Sequence, residues 1–178
     1  TVLKTIINRC AIILSLSVLM VASRPVFATE PQSLLAELQR LAESPARSAN
    51  SKHRNIYRNP AETLEFMGIR PDMAVLEIWP ARGWYTEILA PFLKDQGHLA
   101  IAQFRHNDGT LRNERDIFWA RISSALSARI MAEPEYFGDV ELLELDPPNL
   151  LPALPVERFD MVLTFRNAHI WNERGELL

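Results

Sequence analysis

The residues best suited to chemistry stand at the ends of apolar runs. Glu77 is the one acid in Val75-Leu76-Glu77-Ile78. The turn Trp79-Pro80-Ala81-Arg82-Gly83 follows, and then Trp84-Tyr85-Thr86-Glu87-Ile88-Leu89-Ala90, with helix-like spacing of apolar residues. A strand, a tight turn and a helix start bring a strand's carboxyl end towards free backbone N–H groups. In α/β proteins that junction holds nucleotide-like ligands. Gln103 closes a second apolar run, Asp146 follows a third, and Arg166-Asn167-Ala168-His169 follows a fourth. His169 has the titration range of a general base, and Asn167 can orient a ligand by hydrogen bonds. A histidine at a strand end is also commonly structural. His53, His98, His106 and His169 show no metal-ligand spacing.

These residues need a scaffold that aligns strand ends. Ala74 to Trp79, His98 to Phe104, Val140 to Leu145 and Phe159 to Phe165 read as strands. Helical patterns separate the first three: Gly83 to Leu93, and Asn113 to Met131 with Ile117, Phe118, Ile122, Leu126 and Ile130 on its apolar side. Asp146-Pro147-Pro148 stops the third strand, and a proline-rich stretch from Leu150 to Arg158 leads to the fourth. Strand–helix alternation implies a parallel sheet. Upstream, Asn59 is a plausible cap with Pro60 at the first helical position, and Gly68 ends that helix. Pro31 to Ala42 places Leu34, Leu35, Leu38 and Leu41 on one helical face, which favours packing on the domain over binding a partner. Ser44 to Arg58 is polar and basic; it reads as a linker, or as an ordered arm over the ligand cleft.

The block Glu77-Ile-Trp-Pro-Ala-Arg-Gly83 with Trp84-Tyr85 resembles the first motif of the class I S-adenosylmethionine-dependent methyltransferases, acid-x-Gly-x-Gly-x-Gly. Trp79 and Ala81 stand at the first two glycine positions. EIWPARGWYTEILAP as a whole is similar to a branch of predicted exported methyltransferases, and DMVLTFRNAHIW, Asp160 to Trp171, resembles the fourth strand of that branch. The resemblance spans about Arg58 to Trp171. It implies a Rossmann-like class I methyltransferase fold with strand order 3-2-1-4 and S-adenosylmethionine as cofactor. In that frame Glu77 meets the cofactor's amino group; the alternative is an acid that caps the turn or pairs with Arg82. Gly83 allows close backbone approach to the ligand. Trp79 and Ala81 would narrow the pocket, Pro80 would stiffen the turn, and Trp84 and Tyr85 would roof the ligand or be buried against the sheet. Gln103 stands where the family has the ribose-binding acid, and its amide makes a weaker acceptor. Asp146 matches the acid that accepts from the adenine amino group; alternatively it is a turn residue before two prolines. Arg166 and Asn167 face the same cleft, with His169 as the candidate base.

At the amino end, Lys4 and Arg9, the apolar run Cys10 to Ala22 and Val26-Phe27-Ala28 read as a secretory signal cleaved after Ala28. An uncleaved anchor is the competing reading. The expected division is residues 1–28 as signal, 29–58 as helix and basic linker, and 59–178 as a partial methyltransferase-like domain. Cleavage would leave 150 residues, periplasmic or secreted, without stable membrane insertion. The net charge would move from −3 to −6, because Lys4, Arg9 and Arg24 leave and no acid does. Cys10, the one cysteine, would leave too, so no disulfide is expected. An acidic domain without a basic stripe argues against nucleic acid. The resemblance covers only the cofactor half of the family's fold, so a partner or further segment is expected to cover the fourth strand's edge. Three functions compete: transfer of a methyl group to a small molecule, small-molecule binding by an inactive exported relative, and nicotinamide-dependent dehydrogenation. The last is disfavoured by the missing Gly-x-Gly-x-x-Gly.

Overall fold

The computed structural model describes residues 33–145, 157–167 and 169. The expected signal segment, Asp146 and the prolines after it lie outside the described residues. The chain divides into two units, 1–31 and 32–178, and every described residue belongs to the second.

Four strands form one parallel sheet in the order β3-β2-β1-β4: β1 (Ala74–Ile78), β2 (His98–Phe104), β3 (Val140–Leu145) and β4 (Met161–Thr164). Order and direction match the expectation. The register sets Glu77 beside Ile101 on one flank and Leu163 on the other. Asp160 fixes the start of β4: its N–H donates to the Ala74 carbonyl and its carboxylate accepts from the Ala74 N–H, each at 2.8 Å.

Helices α1 (Leu34–Ala42), α2 (Ala49–His53), α3 (Asn55–Arg58) and α4 (Pro60–Phe66) precede the sheet. Ser33 caps α1, and Leu38, Leu41 and Ala42 bury its apolar face. That helix packs on α4 and on α5 (Thr86–Leu93), so it belongs to the domain. The basic stretch 44–58 is helical in its second half rather than an extended linker. Asn59 does not cap α4 with its side chain. It sits at φ 41°, ψ 59° and donates its N–H to the Asn55 carbonyl, which closes α3. A left-handed helix stop suits asparagine and left no separate signal from a cap.

The two faces of the sheet differ. Val75, Leu99, Ile101 and Leu163 pack with α5 (Ile88, Leu89, Phe92, Leu93) and with Leu126 and Ile130 of α6 (Glu114–Ala132). Leu76, Ala100, Ala102, Phe104 and Leu145 join Trp79 and Ala120 on the other face. Asn113 caps α6 through a 2.8 Å bond from the Arg115 N–H. Phe118, expected on the apolar side of this helix, is half exposed and lines an open cleft beside Trp79 and Pro80. A short α7 (Pro134–Phe137) packs on α5. No helix of the described residues is long and apolar enough to cross a membrane.

Candidate ligand cleft

Strand β1 ends at Ile78, and the chain turns by repeated left-handed steps. Trp79, Ala81 and Gly83 have φ of 54°, 53° and 76°. These are the three motif positions at which the family resemblance expects glycine. Two of them carry side chains and still hold a conformation that costs an L-residue about 1–2 kcal/mol. Local packing enforces it. The Trp79 N–H donates to the Ala102 carbonyl at 2.7 Å, and its ring rests against Phe104 and Trp119 at 5.7 and 5.5 Å. The Asn167 amide donates to the Trp79 carbonyl at 3.0 Å and to Thr164 Oγ1 at 3.0 Å, tying the turn to the end of β4. Gly83 combines its left-handed φ with a close approach of a helix. A Cβ there would stand 2.5 Å from Leu126 Cδ1, so Gly83 admits α6 and does not line the cleft.

Around this turn opens a cleft of about 360 Å³, within the range of about 300–1,000 Å³ common for small-molecule sites. Glu77 forms part of its floor and is 2% exposed. The Thr86 hydroxyl donates to its carboxylate at 2.6 Å. Among the described residues no cation pairs with Glu77, Arg82 included. Burial without a counter-ion pushes its carboxyl up to about 7, and the Thr86 hydrogen bond only partly offsets this.

The walls are aromatic. Tyr85 stacks on Phe165 at 3.6 Å between ring centroids, and Trp84 meets Tyr85 edge-on. Trp84 and Tyr85 are thus both buried and part of the cleft wall. Burial raises the Tyr85 phenol above its ordinary value. The Trp84 indole N–H donates to the Ser51 carbonyl at 2.9 Å, and the Arg58 guanidinium lies 4.6 Å from the Trp84 ring. The basic stretch therefore lies at the cleft, with Arg54 and Arg58 lining it alongside Arg82 and Arg166.

A second acid fixes these walls from behind. Glu87 takes the Arg47 Nε at 3.1 Å and also pairs with Arg129. Arg47, 2% exposed, donates in addition to the Trp84 carbonyl and to Asn55. This cluster joins the amino-terminal helices to the helix after the turn.

The structure gathers Glu77, Trp79, Ala81, Tyr85, Arg166 and Asn167 around the cleft. Gln103 is not among them. It shares a face of β2 with Leu99 and Ile101, beneath α6, and donates to the Ser127 hydroxyl, while its carbonyl oxygen is buried without a partner. It lines a separate depression with Ser123, Ser127 and Glu144. His169 is exposed and does not line the cleft. Asn167 points into the turn as a brace. Sequence reasoning missed Thr86 as the partner of Glu77, and Phe118, Trp119 and Ile122 as cleft residues. Among the described residues no cluster of His, Cys, Asp and Glu could hold a metal ion. Comparison with protein-family models and with curated proteins finds no match to this chain.

Proposed function

We propose that this chain is a methyltransferase-like protein that binds S-adenosylmethionine in the cleft above Glu77. One observation carries the reading: an acid buried without a counter-ion among the described residues, at the end of an inner strand, beside a turn left-handed at every second residue. Such an acid is costly to keep and fits a cationic ligand group, here the ammonium of the methionyl moiety. The bound cofactor would supply an electrophilic methyl group, whose transfer depends chiefly on positioning and alignment. The chain's own residues would do the holding. Glu77 takes the ammonium, Ala81 and Pro80 shape the floor, and Tyr85 on Phe165 makes a flat wall. Asn167 is a positioning residue, because it holds the Trp79 carbonyl and so the turn.

A second reading is an exported binding protein without turnover. It is favoured by Gln103 and His169, which do not stand among the described residues that line the cleft. Calorimetry with S-adenosylmethionine, S-adenosylhomocysteine and NAD tests the cofactor assignment, and a methyl-transfer assay separates the two readings. The sulfur cofactors are expected to bind and NAD is not. Glu77→Gln should weaken binding roughly tenfold or more, the loss of one charge-assisted contact. Absence of heat at millimolar S-adenosylhomocysteine, or preference for NAD, overturns the cofactor assignment. Cofactor binding without methyl transfer to any acceptor favours the second reading.

A further inference from the structure

The charges in the cleft are unevenly placed. Glu77 lies on the floor and is almost fully buried, whereas Arg54, Arg82 and Arg166 are exposed around it and Arg58 is half-buried. Among the described residues four arginines and one glutamate line the cleft, a formal surplus of three positive charges. Among the described residues none of the four pairs with an acid. Arg47 and Arg129, behind the same walls, are both paired with Glu87. The crowding is close enough to matter: burial and the charges of Arg54 and Arg166 lower the Arg58 guanidinium below its ordinary value. Arg58 is held in place, its head over the Trp84 ring and its carbonyl accepting from the Thr63 hydroxyl at 3.2 Å.

A cofactor that brings an ammonium, a sulfonium and one carboxylate does not balance this rim; it adds net positive charge. One carboxylate engages one or two guanidiniums. The remaining charge needs a second ligand, and the walls around it are Trp84, Phe118, Trp119 and Phe165. We infer that the second ligand of this cleft is an organic oxyanion with a flat apolar body, either a carboxylate or a phosphate monoester, held by Arg58, Arg82 and Arg166 at the rim. That this anion is the methyl acceptor rests on the methyltransferase reading; the preference for an anion does not.

The test is quenching of tryptophan fluorescence in the full chain by four probes of one shape and graded charge: benzoate, phenyl phosphate, benzyl alcohol and benzylamine. Inorganic phosphate is the fifth probe, and S-adenosylhomocysteine is titrated in parallel. Benzoate or phenyl phosphate should bind about tenfold or more tightly than benzyl alcohol, and benzylamine least, with affinity falling as salt rises. Whichever of the two anions binds better assigns the headgroup. Arg82→Gln and Arg166→Gln, at exposed positions that leave the core intact, should each weaken the anion about fivefold, and Arg166→Lys should restore part of the loss. Equal binding of benzyl alcohol and the anions overturns the inference, because the arginines are then merely solvated. Inorganic phosphate binding as well as phenyl phosphate overturns the apolar-body part. Binding of S-adenosylhomocysteine without any anion defeats the inference alone, whereas anion binding without S-adenosylhomocysteine defeats the cofactor reading alone.

Discussion

Glu77 and Glu87 are the same residue type, ten positions apart, and are 2% and 3% exposed. Their surroundings separate them. Glu87 lies between Arg47 and Arg129, and its own carbonyl accepts from the Tyr136 hydroxyl at 2.7 Å. Glu77 receives one neutral hydroxyl, from Thr86, the residue next to Glu87. A buried charge with its counter-ions in place joins parts of a fold. A buried charge that lacks one is a cost the fold retains, and such costs gather where a ligand supplies the missing partner. Burial alone would have ranked the two acids equally; their partners distinguish them.

The largest expected effect lies at Glu87. Replacing Arg47 with Ala leaves that carboxylate short of a buried partner and takes a donor from the Trp84 carbonyl, while the Ala42 carbonyl keeps the Asn55 amide. Denaturant unfolding should show a loss of about 3–5 kcal/mol. A loss below 1 kcal/mol would mean that the pair is not structural.

Glu77→Gln should act in the opposite direction. The folded-state carboxyl is pushed up to about 7 from an ordinary 4.5, so the folded chain keeps a proton that the unfolded chain releases. Wild-type stability therefore falls as pH rises across that window and then levels. The glutamine variant should lack this slope and be more stable above pH 7, by up to about 3 kcal/mol. Urea unfolding of both proteins at several pH values checks it, and parallel pH profiles would sink it. The same substitution should weaken cofactor binding, so stability and ligand affinity would move apart at Glu77 and together at Arg47.

Thr86→Val removes the one donor to the Glu77 carboxylate among the described residues. It should move the Glu77 titration further up and cost about 1 kcal/mol, readable by the same unfolding series. The smallest effect is at Ala81, where φ is 53°. Glycine relieves the left-handed strain but adds unfolded-state entropy, so Ala81→Gly should stabilise by only about 0.5 kcal/mol. Destabilisation of more than about 1 kcal/mol there would place the Ala81 methyl in an essential contact.

The sheet was legible because β1, β2 and β3 are apolar runs bounded by turn residues. His98–Phe104 and Val140–Leu145 appear with the expected ends. Trp79 was expected inside β1 but leaves it at positive φ, a conformation that no tryptophan advertises. Glu77 as the central acid was legible from its isolation in an apolar strand. The Arg47–Glu87 pair was not, since it spans forty positions and follows no period. Arg54 and Arg58 were visible as a basic stretch, but their place at the cleft depends on Trp84 reaching back to Ser51. Gln103 shows the limit of reading a role from a strand end, because α6 covers the side of β2 on which it stands.

On the proposed reading a ligand's cation completes Glu77, which is buried without a counter-ion among the described residues. Carboxyl-carbon NMR titration of Glu77, with and without saturating S-adenosylhomocysteine, tests this most directly. A free-state value of about 7 is expected, shifted clearly downward when the ligand's ammonium is bound. Titration near the ordinary glutamate value of about 4.3 in the free protein, unmoved by the ligand, would contradict it.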